Sequence, residues 1–156
     1  MKPLKRIMLI EDNLKDVDLT LAALAEHNLA NEVVVSRDGA EALDYLYRRG
    51  AHAGRDDTLP AVVLLDIKMP KLNGIEVLRQ MKADPALKRV PVVMLTSSKE
   101  EPDLAACYDL GVNAYVVKPV DFSQFVDAVK QVGAFWAVLN EAPPANSRQP
   151  FGNPTP

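Results

Sequence analysis

The chain has 156 residues, almost half of them apolar and a quarter charged, as is typical of one soluble globular domain. Its formal net charge of -3 argues against nucleic acid as the main partner, because phosphate-backbone binding needs clustered Lys and Arg side chains. One cysteine, Cys107, excludes an internal disulfide, and neither a signal-peptide pattern nor ~20 consecutive apolar residues is present, so we expect a cytoplasmic protein without a membrane span.

Five short apolar runs alternate with helical patterns, a rhythm that favours a parallel sheet covered on both faces. The predicted strands lie at residues 7–10, 33–35, 61–65, 90–95 and 114–117. The third run is the most continuously apolar one and is followed by Asp66, as expected of a strand buried on both faces. The pattern predicts an α/β, flavodoxin-like, doubly wound fold with five parallel strands in the order 2-1-3-4-5 and five helices.

Capping residues indicate where the helices begin and end. Asn13 is the predicted N-cap of the first helix, while Asp38 with Glu41 resembles a capping box at the start of the second, which we expect Gly50 to end. A surface loop is predicted at 51–60. The remaining helices are predicted after the Asn73–Gly74 turn, at 103–110 and at 121–139.

The last predicted helix and the segment that follows it bear on domain organisation. We expect one domain at 1–140 and a Pro-rich, disordered tail at 141–156. The last helix carries two apolar stripes, although packing on a sheet needs only one. The second stripe, which also includes Ala128, is predicted to form a homodimer contact, the alternative being that the tail folds back over it. The predicted dimer contacts are Phe125, Val132, Phe135 and Leu139.

Reactive side chains fall at the carboxyl ends of the predicted strands. Glu11 and Asp12 follow the first strand, Asp66 the third, Thr96 lies at the end of the fourth, and Lys118 follows the fifth. Ligands of open parallel sheets bind beyond these ends, where strand order reverses, and in the order 2-1-3-4-5 that point lies between strands one and three. Three carboxylates are therefore expected to converge there, with a hydroxyl and an ammonium beside them.

Three converging carboxylates repel one another unless a cation joins them. Mg²⁺ suits such a site because it is a hard ion that prefers carboxylate, carbonyl and water oxygens, whereas zinc is disfavoured because no His or Cys lies at these positions. With Mg²⁺ bound, Asp66 stays ionised and can attack phosphorus. The Lys118 ammonium and the Thr96 hydroxyl would then stabilise the transferred oxygens.

Each of these residues also has a purely structural interpretation. Glu11 and Asp12 could simply cap the first helix, and Thr96 with Ser97 could cap the fourth. Lys118 could be an ordinary surface charge. An unpaired charge at the end of a buried strand is costly, however, so Asp66 is difficult to explain without a function. The structural interpretations would all have to hold at once, and we therefore favour a phosphoryl-transfer site.

Four segments carry a family resemblance, in this order along the chain: IMLIEDN, VVLLDIKMPKLNG, PVVMLTSS and NAYVVKPVD. They resemble the receiver domains of two-component response regulators, and the resemblance extends over residues 5–138. The long loop before the third strand and the closing FSQFVDAVKQVGAFW also resemble the small regulators that partner cyanobacterial and bacterial phytochromes. The resemblance implies a sensor histidine kinase, in the narrower case a phytochrome, as the phosphoryl donor.

The resemblance assigns a role to each site residue. Asp66 would be the phosphoacceptor, and Glu11, Asp12 and the Lys68 backbone carbonyl would join it around Mg²⁺. The Lys68 side chain departs from a typical receiver at this position, and it could reach the phosphoryl group and alter its lifetime.

Further roles concern the phosphoryl group and the response to it. Thr96, Ser97 and Lys118 would bind the phosphate, with Thr96 moving toward it on activation. Tyr115 occupies the position of the switch aromatic. The peptide bond between Lys118 and Pro119 is expected to be cis.

Three functions remain open from the sequence. The leading one is a phosphoryl-switched signalling module that acts through protein contacts and catalyses only its own phosphorylation and dephosphorylation. A phosphatase with an aspartyl-phosphate intermediate is disfavoured, because such enzymes place a second acid where this chain has Lys68. A receiver-like binding module that is never phosphorylated is the third.

Overall fold

A computed structural model describes residues 6–26, 32–56, 58–118, 123–124, 127 and 130–131. Its strands are β1 (Ile7–Ile10), β2 (Val33–Ser36), β3 (Val62–Leu65), β4 (Val92–Thr96) and β5 (Ala114–Val117). Its α-helices with complete bounds are α1 (Leu14–Glu26), α2 (Gly39–Tyr47), α3 (Gly74–Ala83) and α4 (Glu101–Asp109). All strand pairs are parallel, in the order β2-β1-β3-β4-β5, which confirms the predicted fold and topology.

The sheet separates two apolar clusters because successive side chains of a strand point to opposite faces. Met8 and Ile10 of β1 belong to one cluster, together with the buried faces of α2 and α3. Ile7 and Leu9 belong to the other, which includes Val17 and other residues of α1. Every residue of β1, β3 and β4 is buried, so the three central strands form a fixed platform for the side chains at their carboxyl ends.

Side-chain caps fix the starts of three helices. Asn13 Oδ1 accepts the Asp16 N–H at 3.1 Å, which confirms Asn13 as the cap of α1. Asp38 Oδ1 accepts the Glu41 N–H at 2.8 Å at the start of α2, as predicted. Asn73 Oδ1 likewise accepts the backbone N–H of Glu76 at 3.0 Å. The Asn73–Gly74 turn is therefore the first turn of α3.

Some predicted boundaries were wrong. Helix α2 ends at Tyr47, and Arg48 takes the left-handed conformation expected of a C-cap glycine, with φ 54°. Gly50 instead begins a short 3₁₀ turn, Gly50–His52. Helix α4 starts at Glu101 rather than Asp103, because Pro102 fits the first helical turn, where its missing N–H has no intrahelical partner.

Several predictions concern residues outside those that the structure describes. They include the tail at 141–156, the cis bond to Pro119 and the dimer residues Phe125, Val132, Phe135 and Leu139. Most of the fifth helix, predicted at 121–139, also lies there. Within the described part of the chain, no helix has the length and apolar character needed to span a membrane.

Candidate phosphoryl-transfer site

Strand register brings the predicted site residues to one edge of the sheet. Ile10 of β1 lies beside Leu65 of β3, so the residues that follow them, Glu11 and Asp66, leave the sheet together. The Asp66 N–H donates to the Ile10 carbonyl at 3.1 Å and extends this pairing past the end of β3. On the other side, the Lys118 N–H donates to the Thr96 carbonyl at 2.7 Å. The residues after β3 and β5 are thus each held by the neighbouring strand.

The three acids form one cluster. Glu11, Asp12 and Asp66 each offer a carboxylate oxygen, and these oxygens lie within 4.8 Å of one another. Glu11 and Asp66 are buried, with exposed fractions of 2% and 7%, whereas Asp12 is half-buried. Three carboxylates so close together, two of them buried, need a cationic partner. The donor set consists of hard oxygens, and it fits a hard divalent cation better than zinc or copper.

Lys118 supplies a cation from the far side of the cluster. Its Nζ lies 2.7 Å from Glu11 Oε2, 2.8 Å from Asp16 Oδ2 and 3.4 Å from Asp66 Oδ2. The side chain is only 9% exposed, so these contacts are shielded from solvent. The structure therefore brings together Glu11, Asp66 and Lys118, which lie far apart in the sequence.

Burial and charge shift the pKa values of two of these groups. Burial raises the pKa of Glu11 to about 7, and the nearby Asp66 charge adds to this effect, while Lys118 opposes it. Burial by itself lowers the pKa of Lys118, but hydrogen bonds to Asp16 and Glu11 and the charge of Asp66 outweigh it and raise this pKa to about 12. Lys118 is consequently a permanent positive charge in the site.

Backbone groups orient the acids. Asp66 Oδ1 accepts the Ile67 N–H at 2.7 Å, so that Oδ2 faces Lys118. Glu11 Oε1 accepts the Asn13 N–H at 3.1 Å, while Oε2 contacts Lys118. Both buried carboxylates thus have one oxygen bound to backbone and the other directed at the ammonium.

The loop after β4 forms the remaining wall. Thr96 is fully buried, and its Oγ1 accepts the Ser98 N–H at 3.3 Å. The Tyr115 hydroxyl donates to the Ser98 carbonyl at 2.9 Å, so the predicted switch aromatic is tied to the residue that contacts Thr96. The other two predicted residues, Ser97 and Lys68, have exposed side chains.

Two contacts at the site were not predicted from the sequence. Asp16 pairs with Lys118, and the Arg37 guanidinium donates to the Asp12 carbonyl at 3.1 Å. Asp16 lies in the first turn of α1, where an acid is ordinarily explained by the helix dipole. Its position three residues after the N-cap was the available signal, but the distance to residue 118 is not contained in local spacing.

Comparison with known proteins gives a consistent result. A profile of the response regulator receiver domain matches residues 7–130. Response regulator Rcp1 of Synechocystis sp. is 37% identical over 134 residues, which cover 86% of this chain and 90% of Rcp1. The similarity therefore extends through all five strands and the site residues that follow them.

Solved structures show the same relationship. The phosphorylated cyanobacterial phytochrome response regulator RcpA superposes with a TM-score of 0.85 at 42% identity, covering 91% of this chain and 100% of RcpA. The bacteriophytochrome response regulator AtBRR is 57% identical with a TM-score of 0.71, covering 90% and 100%. A Mn²⁺-bound form of Rcp1 superposes at 0.83 with 35% identity, covering 90% of this chain and 99% of that one.

Proposed function

The chain belongs to the response regulator receiver domain family, and on that premise we propose that Asp66 accepts a phosphoryl group in a reaction that requires Mg²⁺. The observation that supports this most strongly is the buried cluster of Glu11, Asp12 and Asp66 with the Lys118 ammonium against it. Glu11, Asp12 and Asp66 would hold the ion, together with the Lys68 backbone carbonyl. Bound Mg²⁺ would neutralise charge on the transferred oxygens.

The residues of the chain account for the rest of the chemistry. A carboxylate oxygen of Asp66 forms a bond to phosphorus, and the bond from phosphorus to the donor's nitrogen or oxygen breaks. Lys118, 3.4 Å from Asp66 Oδ2, is close enough to balance negative charge that arrives there. Thr96 and Ser97 would contribute a hydroxyl and a backbone N–H to the phosphoryl oxygens.

Labelling by acetyl phosphate tests this proposal. Wild-type protein incubated with acetyl phosphate and Mg²⁺ should gain one phosphoryl group by intact mass, whereas Asp66→Ala should gain none. Asp18→Ala is the matched control, because Asp18 is an exposed acid on α1, and it should be labelled like the wild type. Equal labelling of wild type and Asp66→Ala would refute the proposal.

The proposed response to phosphorylation involves the β4–α4 loop. Thr96 would turn toward the phosphoryl group, which would withdraw the acceptor of the Ser98 N–H and loosen the contact between Ser98 and Tyr115. Tyr115 would then change orientation as the switch aromatic. The peptide bond between Lys118 and Pro119 would be cis.

The proposed phosphoryl donor is a sensor histidine kinase, and in the narrower proposal a phytochrome. Support comes from Rcp1, RcpA and AtBRR, the latter two named as phytochrome and bacteriophytochrome response regulators. A phosphorylated bacteriophytochrome kinase should transfer its phosphoryl group to this chain faster than kinases of other classes do. Equal or slower transfer would overturn the narrower proposal and leave the phosphoacceptor role intact.

Three further features remain proposals. Residues 1–140 would form the receiver domain and 141–156 a disordered tail, in a protein that works in the cytoplasm. Homodimerisation would use Phe125, Val132, Phe135 and Leu139, in line with the apolar stripe that these residues form in the sequence. Light scattering at micromolar concentration tests the dimer, and a monomer both with and without phosphorylation would contradict it.

A further inference from the structure

Asp16 contacts Lys118 but lies outside the acidic cluster that can share a cation. Its Oδ2 is 2.8 Å from Lys118 Nζ, compared with 2.7 Å for the Glu11 contact and 3.4 Å for the Asp66 contact. Among the described residues, the acids whose oxygens converge within 4.8 Å are Glu11, Asp12 and Asp66. Lys118 therefore has two partners that belong to the candidate cation site and one that does not.

This difference separates the role of Asp16 from the roles of Glu11 and Asp66. An ammonium has three donors, and all three point at carboxylates here. The carboxylate oxygens of Glu11 and Asp66 are the ones that a bound cation and a phosphoryl group would contact. Asp16 is the remaining carboxylate, and it would still accept a hydrogen bond from Lys118 in the loaded site.

The backbone around Asp16 is firmly held. Its N–H donates to Asn13 Oδ1 at 3.1 Å, and its carbonyl accepts the Thr20 hydroxyl at 2.7 Å. Thr20 is itself buried against the body of the domain. The Asp16 carboxylate, 27% exposed, thus extends from a fixed point on α1 toward Lys118. A side chain on a rigid element can hold a partner more accurately than one on a loop.

We propose that Asp16 is a positioning residue that keeps the Lys118 ammonium beside Asp66 during phosphoryl transfer. It acts through Lys118 and does not touch the phosphoryl group. The inference rests on the proposed function, because it assigns Asp16 to the reaction at Asp66. The competing explanation is that Asp16 only stabilises the N-terminus of α1 as an acid in its first turn.

A double-mutant cycle separates the two explanations. The rate of labelling by acetyl phosphate is measured at saturating Mg²⁺ for wild type, Asp16→Asn, Lys118→Gln and the double variant. Asp16→Asn should lower the rate about tenfold when Lys118 is present, the scale set by a hydrogen bond between charged groups, and should change it little when Lys118 is absent. Asp18→Asn, an exposed acid on the same helix, should label at the wild-type rate.

Two measurements without phosphoryl transfer complete the test. Calorimetry should find the Mg²⁺ dissociation constant of Asp16→Asn within about threefold of wild type, because a group outside the ligand set changes affinity only through its screened charge. Denaturant unfolding without metal should show that the effects of Asp16→Asn and Lys118→Gln on stability are coupled. A non-additive pair in both assays supports the inference.

If the effects of Asp16→Asn and Lys118→Gln on the labelling rate are additive, Asp16 does not act through Lys118 in the reaction and the inference fails whatever the unfolding assay shows, while labelling of the wild type upholds the proposed function. A loss of Mg²⁺ affinity well beyond threefold would also overturn the inference, by making Asp16 part of the cation site. If the wild type is not labelled at all, the proposed function falls and the inference with it.

Discussion

At the scale of single residues, Gly74 shows how closely the backbone is packed behind the phosphoacceptor. A Cβ at position 74 would lie 2.0 Å from the Asp66 carbonyl oxygen and 2.8 Å from its carbonyl carbon. Because these are backbone atoms in a segment that is hydrogen-bonded to β1, they cannot move away as a flexible side chain could. Any larger residue at 74 must therefore displace α3 or the segment that carries Asp66.

Gly74→Ala should consequently lower the free energy of unfolding by about 2 kcal/mol or more, the cost of forcing extra volume into a packed site. Gly54→Ala is the matched control, since a Cβ there would meet nothing within 4 Å. Denaturant unfolding of both variants measures the difference. A Gly74→Ala protein as stable as Gly54→Ala would contradict the packing described.

Cys107 gives a prediction that depends on pH. Burial raises the pKa of its thiol from 9.0 to about 11, so the folded protein favours the protonated form. This contribution to stability is complete below pH 9.0 and is lost as pH rises toward about 11, because only the unfolded chain releases the proton there. The free energy of unfolding of wild type should therefore fall across this window relative to that of Cys107→Ala.

The same pKa predicts an inert thiol. Near neutral pH, a shift from 9.0 to about 11 leaves about a hundredth of the ordinary thiolate, and the side chain is fully buried. A thiol reagent should modify native protein far more slowly than urea-unfolded protein. Equal rates would show that the buried side of α4, where Cys107 lies, is open to solvent in the folded protein.

At the scale of elements, Arg55 organises the segment between the 3₁₀ turn and β3. Its guanidinium donates to the backbone carbonyls of Tyr45, Leu46, Asp56 and Thr58 and lies 4.2 Å from the centroid of the Tyr45 ring. The side chain is only 11% exposed. The planar guanidinium of Arg55 therefore holds this loop against α2 through hydrogen bonds that regular secondary structure would otherwise provide.

Arg55→Ala should cost about 2 to 3 kcal/mol, because several carbonyls would lose a charged donor in a partly desolvated place. Arg79→Ala is the comparison, since Arg79 is exposed and pairs with Glu76 on the surface of α3, and it should cost no more than about 0.5 kcal/mol. Thermal unfolding measures both. Similar losses for the two variants would mean that the loop does not depend on Arg55.

Element identity and order could be predicted from the sequence, because they depend on local patterns. The strand at 114–117 and the caps Asn13 and Asp38 match the prediction, since alternation of apolar runs and cap chemistry are local signals. The end of α2 could not be predicted, because nothing nearby indicates that Arg48, two residues before Gly50, already takes the left-handed conformation of the C-cap.

The candidate site shows the same division between features that local patterns predict and features that depend on packing. The acids at strand ends were predictable because parallel strands bring their carboxyl ends to one edge. The pairing of Asp16 with Lys118 was not, since it joins the first turn of α1 to the residue after β5, and it depends on how the helix packs on the sheet. The outward positions of Ser97 and Lys68 also required coordinates.

At the scale of the whole molecule, the fold brings charged side chains together in a buried place, where folding does not require them. Three central strands are buried completely, yet Glu11 and Asp66 follow two of them, and Lys118, the residue after β5, lies against both carboxylates. Apolar residues of similar volume would often make such a position at least as stable. The charged cluster is therefore best explained by chemistry, and the family to which the chain belongs supports that explanation.

Borohydride trapping tests this central claim most directly, because it converts an aspartyl phosphate into homoserine at the residue that carried it. After brief incubation with acetyl phosphate and Mg²⁺, peptide mapping should find homoserine at position 66 and aspartate unchanged at positions 12 and 16. Homoserine at position 12 or 16, or phosphate incorporated without homoserine at 66, would contradict the account.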